Sequence, residues 1–346
     1  MEKRRYNVRF VLLTTAFIIV FLASFLPGRY AISAGSRLRI LCDRFLRGIS
    51  WGKLHLAQTW DSMEAAVVEN VRLPRITAAV LIGAGLSAAG CAYQGMFRNP
   101  MVSPDLLGAS TGAGFGAALG ILLGCSYAAV TGLSFAFGLA AVALAYFVGR
   151  KSRLRSNPAM VLAGIMVGSL FSSATSLLKL AADTQDQLPA ITYWLMGSLS
   201  SVRLRDVHFA MIPIALGLAP LLLFRWRINL LSVSEAEARA LGADTGKLRL
   251  LVIACATLVT AGSVSISGMI GWVGLVVPHI CRLLFGQDQK RLLPASALMG
   301  STFLMLVDDI ARTLTAREIP IGILTSFLGA PLLLYLILTG GTEREA

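Results

Sequence analysis

The sequence is short of charge. Of its 346 residues, 14% are Asp, Glu, Lys or Arg and 56% are hydrophobic. A water-soluble domain carries about 25% charged residues, so a soluble globular protein is excluded at once. Histidine is scarcer still. His55, His208 and His279 lie far apart and lack the spacing of zinc ligands. The five cysteines (Cys42, Cys91, Cys125, Cys255 and Cys281) contain no CxxC and no Cys/His pattern. All but Cys42 fall in apolar runs, where a thiol acts as a small buried hydrophobe. A phosphate loop is missing too. Residues 242–247 read GADTGK, with three residues between the glycines where a Walker A loop has four, and Leu248 stands where Ser or Thr is required. No nucleophile–base pair or metal set is clustered, so the chain is expected not to be an enzyme and to bind neither metal nor cofactor. The net charge is +13, yet no basic–aromatic module accompanies it, which argues against nucleic acid.

What is present is long apolar runs. Residues 10–26 and 76–97 carry no charge, and residues 99–149 carry only Asp105. Mean hydropathy is +0.72. Roughly 18 or more apolar residues cross the hydrocarbon core as a helix, and inside lipid the backbone must bond to itself. The runs are too long and unalternating for barrel strands. The pattern predicts an all-α polytopic membrane protein with about ten spans, forming one transmembrane domain over 1–346. The spans are expected near 10–33, 74–97, 106–124, 126–149, 158–182, 207–224, 250–267, 272–286, 292–314 and 320–339. A charged amphipathic segment (36–71), a short helix (189–199) and a polar segment (232–249) interrupt them.

The basic N-terminus and first apolar run imitate a signal peptide. The run is longer than a usual h-region and no clear cleavage site follows, so it reads as an uncleaved span. With an even number of spans, both termini share a side. Arg4, Arg150, Arg153, Arg225, Arg239, Lys247 and Arg291 fall on that side, which the positive-inside rule makes cytoplasmic. The basic 29–53 segment opposes this assignment.

Gly108, Gly112, Gly116, Gly120 and Gly124 recur every four residues. They form one slowly drifting helical stripe, suited to close helix packing in lipid or to a smooth pathway wall. Two polar anomalies stand out. Asp308 and Arg312 sit four apart and can pair on one helix face. With Arg72 and Arg75 flanking Pro74, they gather arginines at the predicted outer face, either as interfacial snorkels or as a docking site for an acidic partner. On the cytoplasmic side, Ser234, Glu235, Glu237, Arg239, Leu241 and Gly242 outline a short helix at 233–242. Ser234 suits the N-cap, the glutamates the positive first turn, and Gly242 the stop. It is too polar to span. It reads as an interfacial helix or as a handle for a cytoplasmic partner.

Taken in order, these residues resemble the FecCD-like permeases of ABC importers for iron-siderophores, haem and cobalamin. The resemblance covers about residues 60–340. It rests on Arg72-Leu73-Pro74-Arg75; Gln94 through Arg98-Asn99-Pro100 to Leu107-Gly108; Tyr193-Trp194-Leu195-Met196-Gly197-Ser198; the 235–242 segment; Gly271-Trp272-Val273-Gly274-Leu275 with Pro278-His279 and Arg282; and 308–312 with 318–322.

The resemblance implies a cobalamin-importer-permease-like homodimer with the pathway on its axis, lined in large part by the fifth span and the short helix after it. Two cytoplasmic ATPase subunits would hold ATP and Mg, and an extracytoplasmic binding protein would deliver the ligand. Arg72, Arg75 and Arg312 look like the residues that meet that protein, and 235–242 like the coupling helix. Asn99-Pro100-Met101 and Ser156-Asn157-Pro158 look like cytoplasmic gate regions. Met101 replaces a commoner Leu, and Asn157-Pro158 replaces small hydroxyl residues of the cobalamin member.

The expected function is therefore a permease subunit in a bacterial or archaeal cytoplasmic (inner) membrane, working by ATP-driven alternating access. A ferric siderophore is the first assignment for the cargo and haem or cobalamin the next, ahead of molybdate-type oxyanions. An ion-coupled secondary transporter is the rival from another class. It should show a midplane acidic site and broken helices.

Overall fold

The computed structural model describes residues 2–28, 30, 32–49, 58–152, 156–233, 235–242 and 244–340. Helix α1 is Glu2–Ala23, α2 Ala34–Ile49 and α3 Ser62–Val67. A π turn, Val68–Arg72, leads into α4, Leu73–Phe97. A 3₁₀ turn, Pro104–Leu107, precedes α5, Ala109–Leu122. Then follow α6 Tyr127–Lys151, α7 Ser156–Ala181, α8 Gln187–Met196, α9 Leu204–Leu223 and α10 Arg225–Ile228. A 3₁₀ turn, Asn229–Leu231, leads to α11 Glu235–Ala240. The chain ends with α12 Thr245–Ser267, α13 Val273–Phe285, α14 Gln289–Thr313 and α15 Ile321–Gly340. The described residues include no strand. Among the described residues, seven helices are long and apolar enough to cross a membrane, and α5, α13 and α15 (over 321–335) are shorter apolar helices. Together they are the ten membrane helices of an all-α polytopic protein, in the expected order.

The centre is α4, packed on α12, α14 and α13. Glycines set how closely these helices approach. A Cβ on Gly83 would collide with the carbonyl of Gly300, and one on Gly300 with the carbonyl of Gly83, so α4 and α14 touch backbone to backbone. Ser301 Oγ donates to the Val80 carbonyl at 2.8 Å across the same contact. Lower on α4, Gly90 meets the backbone of Gly274 at the start of α13. Small residues permit such approach where lipid gives helices no hydrophobic reason to associate. Gly300→Ala is therefore expected to lower the apparent Tm of the detergent-extracted protein, because overpacking against backbone cannot relax through a side chain. Gly132→Ala, where an added Cβ meets nothing within 4 Å, should leave the Tm unchanged.

Gly112 and Gly116 pack on α6, against Phe137 and Leu133 respectively, and Gly120 lies against Val130. Gly108 and Gly124 end the stripe; a Cβ on Gly108 would lie 3.5 Å from Gly168 on α7, and one on Gly124 would meet nothing within 4 Å. Both have positive φ (86° and 64°) and form the turns that bound α5.

Two expected spans are corrected. The first ends at Ala23 rather than near 33, because Pro27 cannot donate and because Arg72 and Arg312 capture the carbonyls of Ser24, Phe25 and Pro27. The third begins at Ala109 rather than 106, because Pro104 packs on Gly274 and holds the preceding turn in 3₁₀ form.

Candidate functional site

Polar residues concentrate at the two ends of the bundle. At one end, called the head, a knot of three arginines joins α1, α4 and α14. Pro74 lies in the first turn of α4, and the backbone before it takes a π turn in which Leu73 N–H reaches back to the Val68 carbonyl. Arg75 Nε meets Asp308 Oδ1 at 2.7 Å, and its Nη1 meets Glu318 Oε2 at 2.7 Å. Arg312 pairs with Asp308 at 3.2 Å and also with Asp309, which accepts from Ser24 Oγ at 2.7 Å. Among the described residues, Arg72 pairs with no carboxylate. It donates to the carbonyls of Phe25 and Tyr30 at 2.5 and 2.8 Å, and Gly28 leaves room for it, since a Cβ there would sit 2.7 Å from the guanidinium.

The expectation of surface arginines is corrected here. Arg72, Arg75 and Arg312 are 3%, 3% and 6% exposed. A buried guanidinium is tolerated only when its donors are satisfied: Asp308, Asp309 and Glu318 pair with Arg75 and Arg312, and backbone carbonyls take the donors of Arg72. The i, i+4 pairing of Asp308 with Arg312 is present, but both face inward.

At the opposite end, called the tail, α11 is a six-residue helix that begins at Glu235. Ser234, the expected N-cap, lies outside the described residues, as do the side chains of Glu235 and Arg239. Gly242 has φ +78° and turns the chain after α11. Asp244 then caps α12, accepting from Lys247 N–H at 3.1 Å. That backbone hydrogen bond, with the Lys247 ammonium 3.3 Å away, holds its carboxyl below the ordinary value. Beside α11 a groove of about 390 Å³ is lined by Trp226, Leu230, Leu241, Gly242, Leu248 and their neighbours. Leu241 is 68% exposed and Trp226 54%, an apolar patch rimmed by Arg227 and Lys247.

Arg98 connects this end to the interior. It closes α4 in the left-handed region, φ 53°, which costs a non-glycine residue about 1–2 kcal/mol. Its side chain holds it there. Nε donates to the Leu231 carbonyl at 2.9 Å, and Nη2 donates to the carbonyl of Val233, just before α11. The next residues are Asn99, Pro100 and Met101, where Asn99 Oδ1 accepts from Met101 N–H at 2.9 Å. Gln94, buried one turn earlier, holds the far side of the same loop. Its Nε2 donates to the carbonyls of Val102 and Leu275 at 3.3 and 3.2 Å, and its Oε1 accepts from Arg282 at 2.7 Å. Thus the segment before α11, the end of α4, the 99–102 loop and α13 form one hydrogen-bonded assembly. Ser156 and Asn157 begin α7 and Pro158 is exposed in its first turn; the side chains of Ser156 and Asn157 lie outside the described residues.

Comparison with known proteins decides the family. The profile of the FecCD transport family matches residues 16–339. The chain belongs to the FecCD transport family. The permease is 40% identical over 335 residues to the molybdate import system permease protein of Haemophilus influenzae, covering 96% of each chain. It is 42% identical over 271 residues to an iron chelatin transport system permease protein of Helicobacter pylori, covering 78% of this chain and 82% of the relative. A solved structure described as an inward-facing conformation of a metal-chelate type ABC transporter matches with a TM-score of 0.83 at 38% identity, covering 94% of the permease and 97% of that chain. The permease is thus a membrane subunit of an ABC transporter, and ATP hydrolysis belongs to a separate subunit.

Arg98, Gln94 and Arg282 carry the internal connection of the permease, and the residue pattern alone assigned none of them a role. One local signal was available for Arg98: a long charged side chain between a helix end and Asn-Pro, at a position where a glycine would ordinarily stop the helix.

Proposed function

We propose that the permease pairs with a second copy of itself and forms the translocation pathway of a binding-protein-dependent importer whose first-choice cargo is a ferric siderophore. The observation that carries the coupling part is the assembly around Arg98. A short helix beside an apolar groove at the tail is tied through two carbonyls to the loop that leads into the membrane. In this reading α11, with its groove, is the seat of a cytoplasmic ATPase, which holds the ATP and Mg. Closure of the two ATPases moves both α11 helices and rocks the permease halves, a rigid-body switch. Gate movements fall on Asn99, Pro100, Met101 and the start of α7 at Ser156, Asn157 and Pro158. The tail, with both termini, faces the cytoplasm, and the protein sits in a bacterial or archaeal inner membrane.

The binding protein docks at the head. Arg72, Arg75 and Arg312 shape that surface from beneath, and Arg203, Arg205 and Arg317 are exposed arginines in the chain segments that enter α9 and leave α14. Because the knot is buried, charge reversal within it would test folding. Charge reversal at Arg203, Arg205 and Arg317 is the cleaner test of docking.

The iron chelatin relative supports the siderophore assignment. An oxyanion is the second reading, supported by the Haemophilus relative. The experiment is reconstitution with the ATPase and binding protein. Uptake should require ATP and survive an uncoupler, and the reverse result would favour an ion-coupled transporter. Leu241→Arg places charge in the groove and should reduce ATPase co-purification severalfold, with the permease still extracted as a monodisperse species. Unchanged ATPase recovery would remove α11 from the coupling role.

A further inference from the structure

The tail end of α1 gathers positive charge at a junction of four helices. Arg5 and Arg9 are exposed on its first turns and, four residues apart, share one helix face. Tyr6, between them, stacks on Phe10 at 5.7 Å and meets the edge of Phe285, the last residue of α13, at 5.8 Å. The guanidinium of Arg291, in the first turn of α14, lies over the Tyr6 ring, 5.3 Å from its centre. Arg225, which opens α10, also lies close enough to the Tyr6 hydroxyl to act on it electrostatically. Arg9 turns toward the same junction and donates through Nη1 to the Leu284 carbonyl. Arginines from α1, α10 and α14 thus converge around one aromatic ring.

Like charges held together repel one another, and the acid beside them does not offset this. Asp288 caps α14, and its Oδ1 accepts from Asn229 Nδ2 at 2.7 Å and from Lys290 N–H at 3.0 Å. Among the described residues, no carboxylate pairs with Arg5, Arg9, Arg225 or Arg291. Arg225 and Arg291 are half-buried, so they are not simply snorkelling into bulk water. A cluster of this kind raises the local positive potential, and planar guanidinium forks match phosphate oxygens. Below the charges the surface is apolar. Val8 and Leu12 continue the face of Arg5 and Arg9, and they, Val11 and Leu284 are exposed.

We infer that this junction binds an anionic phospholipid, with its phosphate among Arg5, Arg225 and Arg291 and an acyl chain along Val8 and Leu12, and that the lipid fastens the tail end of α1 to α10 and α14. Basic pockets between spans take anionic headgroups, and here the apolar face beneath takes the chain. Helix α1 also has the most to gain from such a tie. It packs on α14 and the end of α13, and its apolar stretch buries none of its residues. Its head end is anchored at Ser24, whose Oγ donates to Asp309 at 2.7 Å and whose carbonyl accepts from Arg312 at 3.1 Å. Its tail end has only the ring contacts of Tyr6 and the single Arg9 hydrogen bond among the described contacts to other helices.

The test uses the full-length permease, purified in a neutral detergent and stripped of native lipid. Added dioleoyl phosphatidylglycerol should raise the apparent Tm more than dioleoyl phosphatidylcholine does, and native mass spectrometry should show the anionic lipid retained on the monodisperse protein. Arg225→Gln/Arg291→Gln should lower the retained fraction about fivefold or more and abolish the difference between the two lipids. Arg5→Gln alters an exposed side chain and should also lower retention, which keeps the result readable if the double variant is poorly recovered. Arg150→Gln/Lys151→Gln, an exposed basic pair at the tail end of α6, should change neither measurement. Backbone hydrogen exchange over residues 5–12 should slow with phosphatidylglycerol and not with phosphatidylcholine. Glycerol phosphate at the same concentration should not stabilise; if it matches the lipid, the site takes a free anion and the lipid assignment fails. Equal stabilisation by both lipids, or full retention in the Arg225/Arg291 and Arg5 variants, overturns the site. Equal loss in the Arg150/Lys151 variant overturns it too, in favour of general surface attraction. Unchanged exchange over 5–12 overturns the fastening of α1.

Discussion

Asp308→Ala should remove most of the folded protein from the membrane. Asp308 is 1% exposed and lies between two guanidiniums, 2.7 Å from Arg75 and 3.2 Å from Arg312. Removing one partner of a buried pair costs about 3–5 kcal/mol, because the remaining charge is left uncompensated. Here two charges are affected, although Glu318 and Asp309 still hold one each. The expected result is a severalfold loss of extractable monodisperse permease and a lower apparent Tm. Asp308→Asn, which keeps an acceptor, should fall between the variant and the parent. Arg75→Met combined with Asp308→Leu should be milder than Asp308→Ala alone, because it removes both members of the pair. If Asp308→Ala accumulates and melts like the parent, the knot does not hold the head together.

Arg98→Ala should separate ATP hydrolysis from transport. The variant loses both carbonyl contacts to the segment before α11 and keeps the α11 surface intact. Assembly with the ATPase should persist while transport per ATP hydrolysed falls about tenfold, corresponding to roughly 1.4 kcal/mol of lost coupling. Arg98→Gly makes the argument sharper. Glycine relieves the left-handed backbone at this position, so the fold is eased while the side-chain link is still missing. If the link matters, Arg98→Gly uncouples as Arg98→Ala does. If only the turn matters, Arg98→Gly transports like the parent.

The sequence made the membrane class, the order of ten helices and the two polar ends legible for a plain reason. Hydrocarbon thickness imposes a minimum apolar length, and any charge that interrupts it is conspicuous. What interrupts a span from a distance was not legible. The end of α1 depends on guanidiniums from Arg72 and Arg312, and the start of α5 on Pro104 meeting Gly274. Arg312 was visibly four residues from Asp308, but Arg75 reaches the same carboxylate across 233 residues. A charge cluster in the sequence therefore read as a surface when its partners were folded beneath it.

The glycine-tight centre has a mechanical consequence. Where α4 and α14 touch through backbone at Gly83 and Gly300, neither can bend independently of the other, so together they behave as a lever. Over the 25 residues of α4, roughly 37 Å at 1.5 Å per residue, a tilt of about 5° moves the far end by about 3 Å. A push applied beside Arg98 would thereby reach Arg75 as a tilt of the whole pair, and the molecule needs no chain of small rearrangements to carry it there.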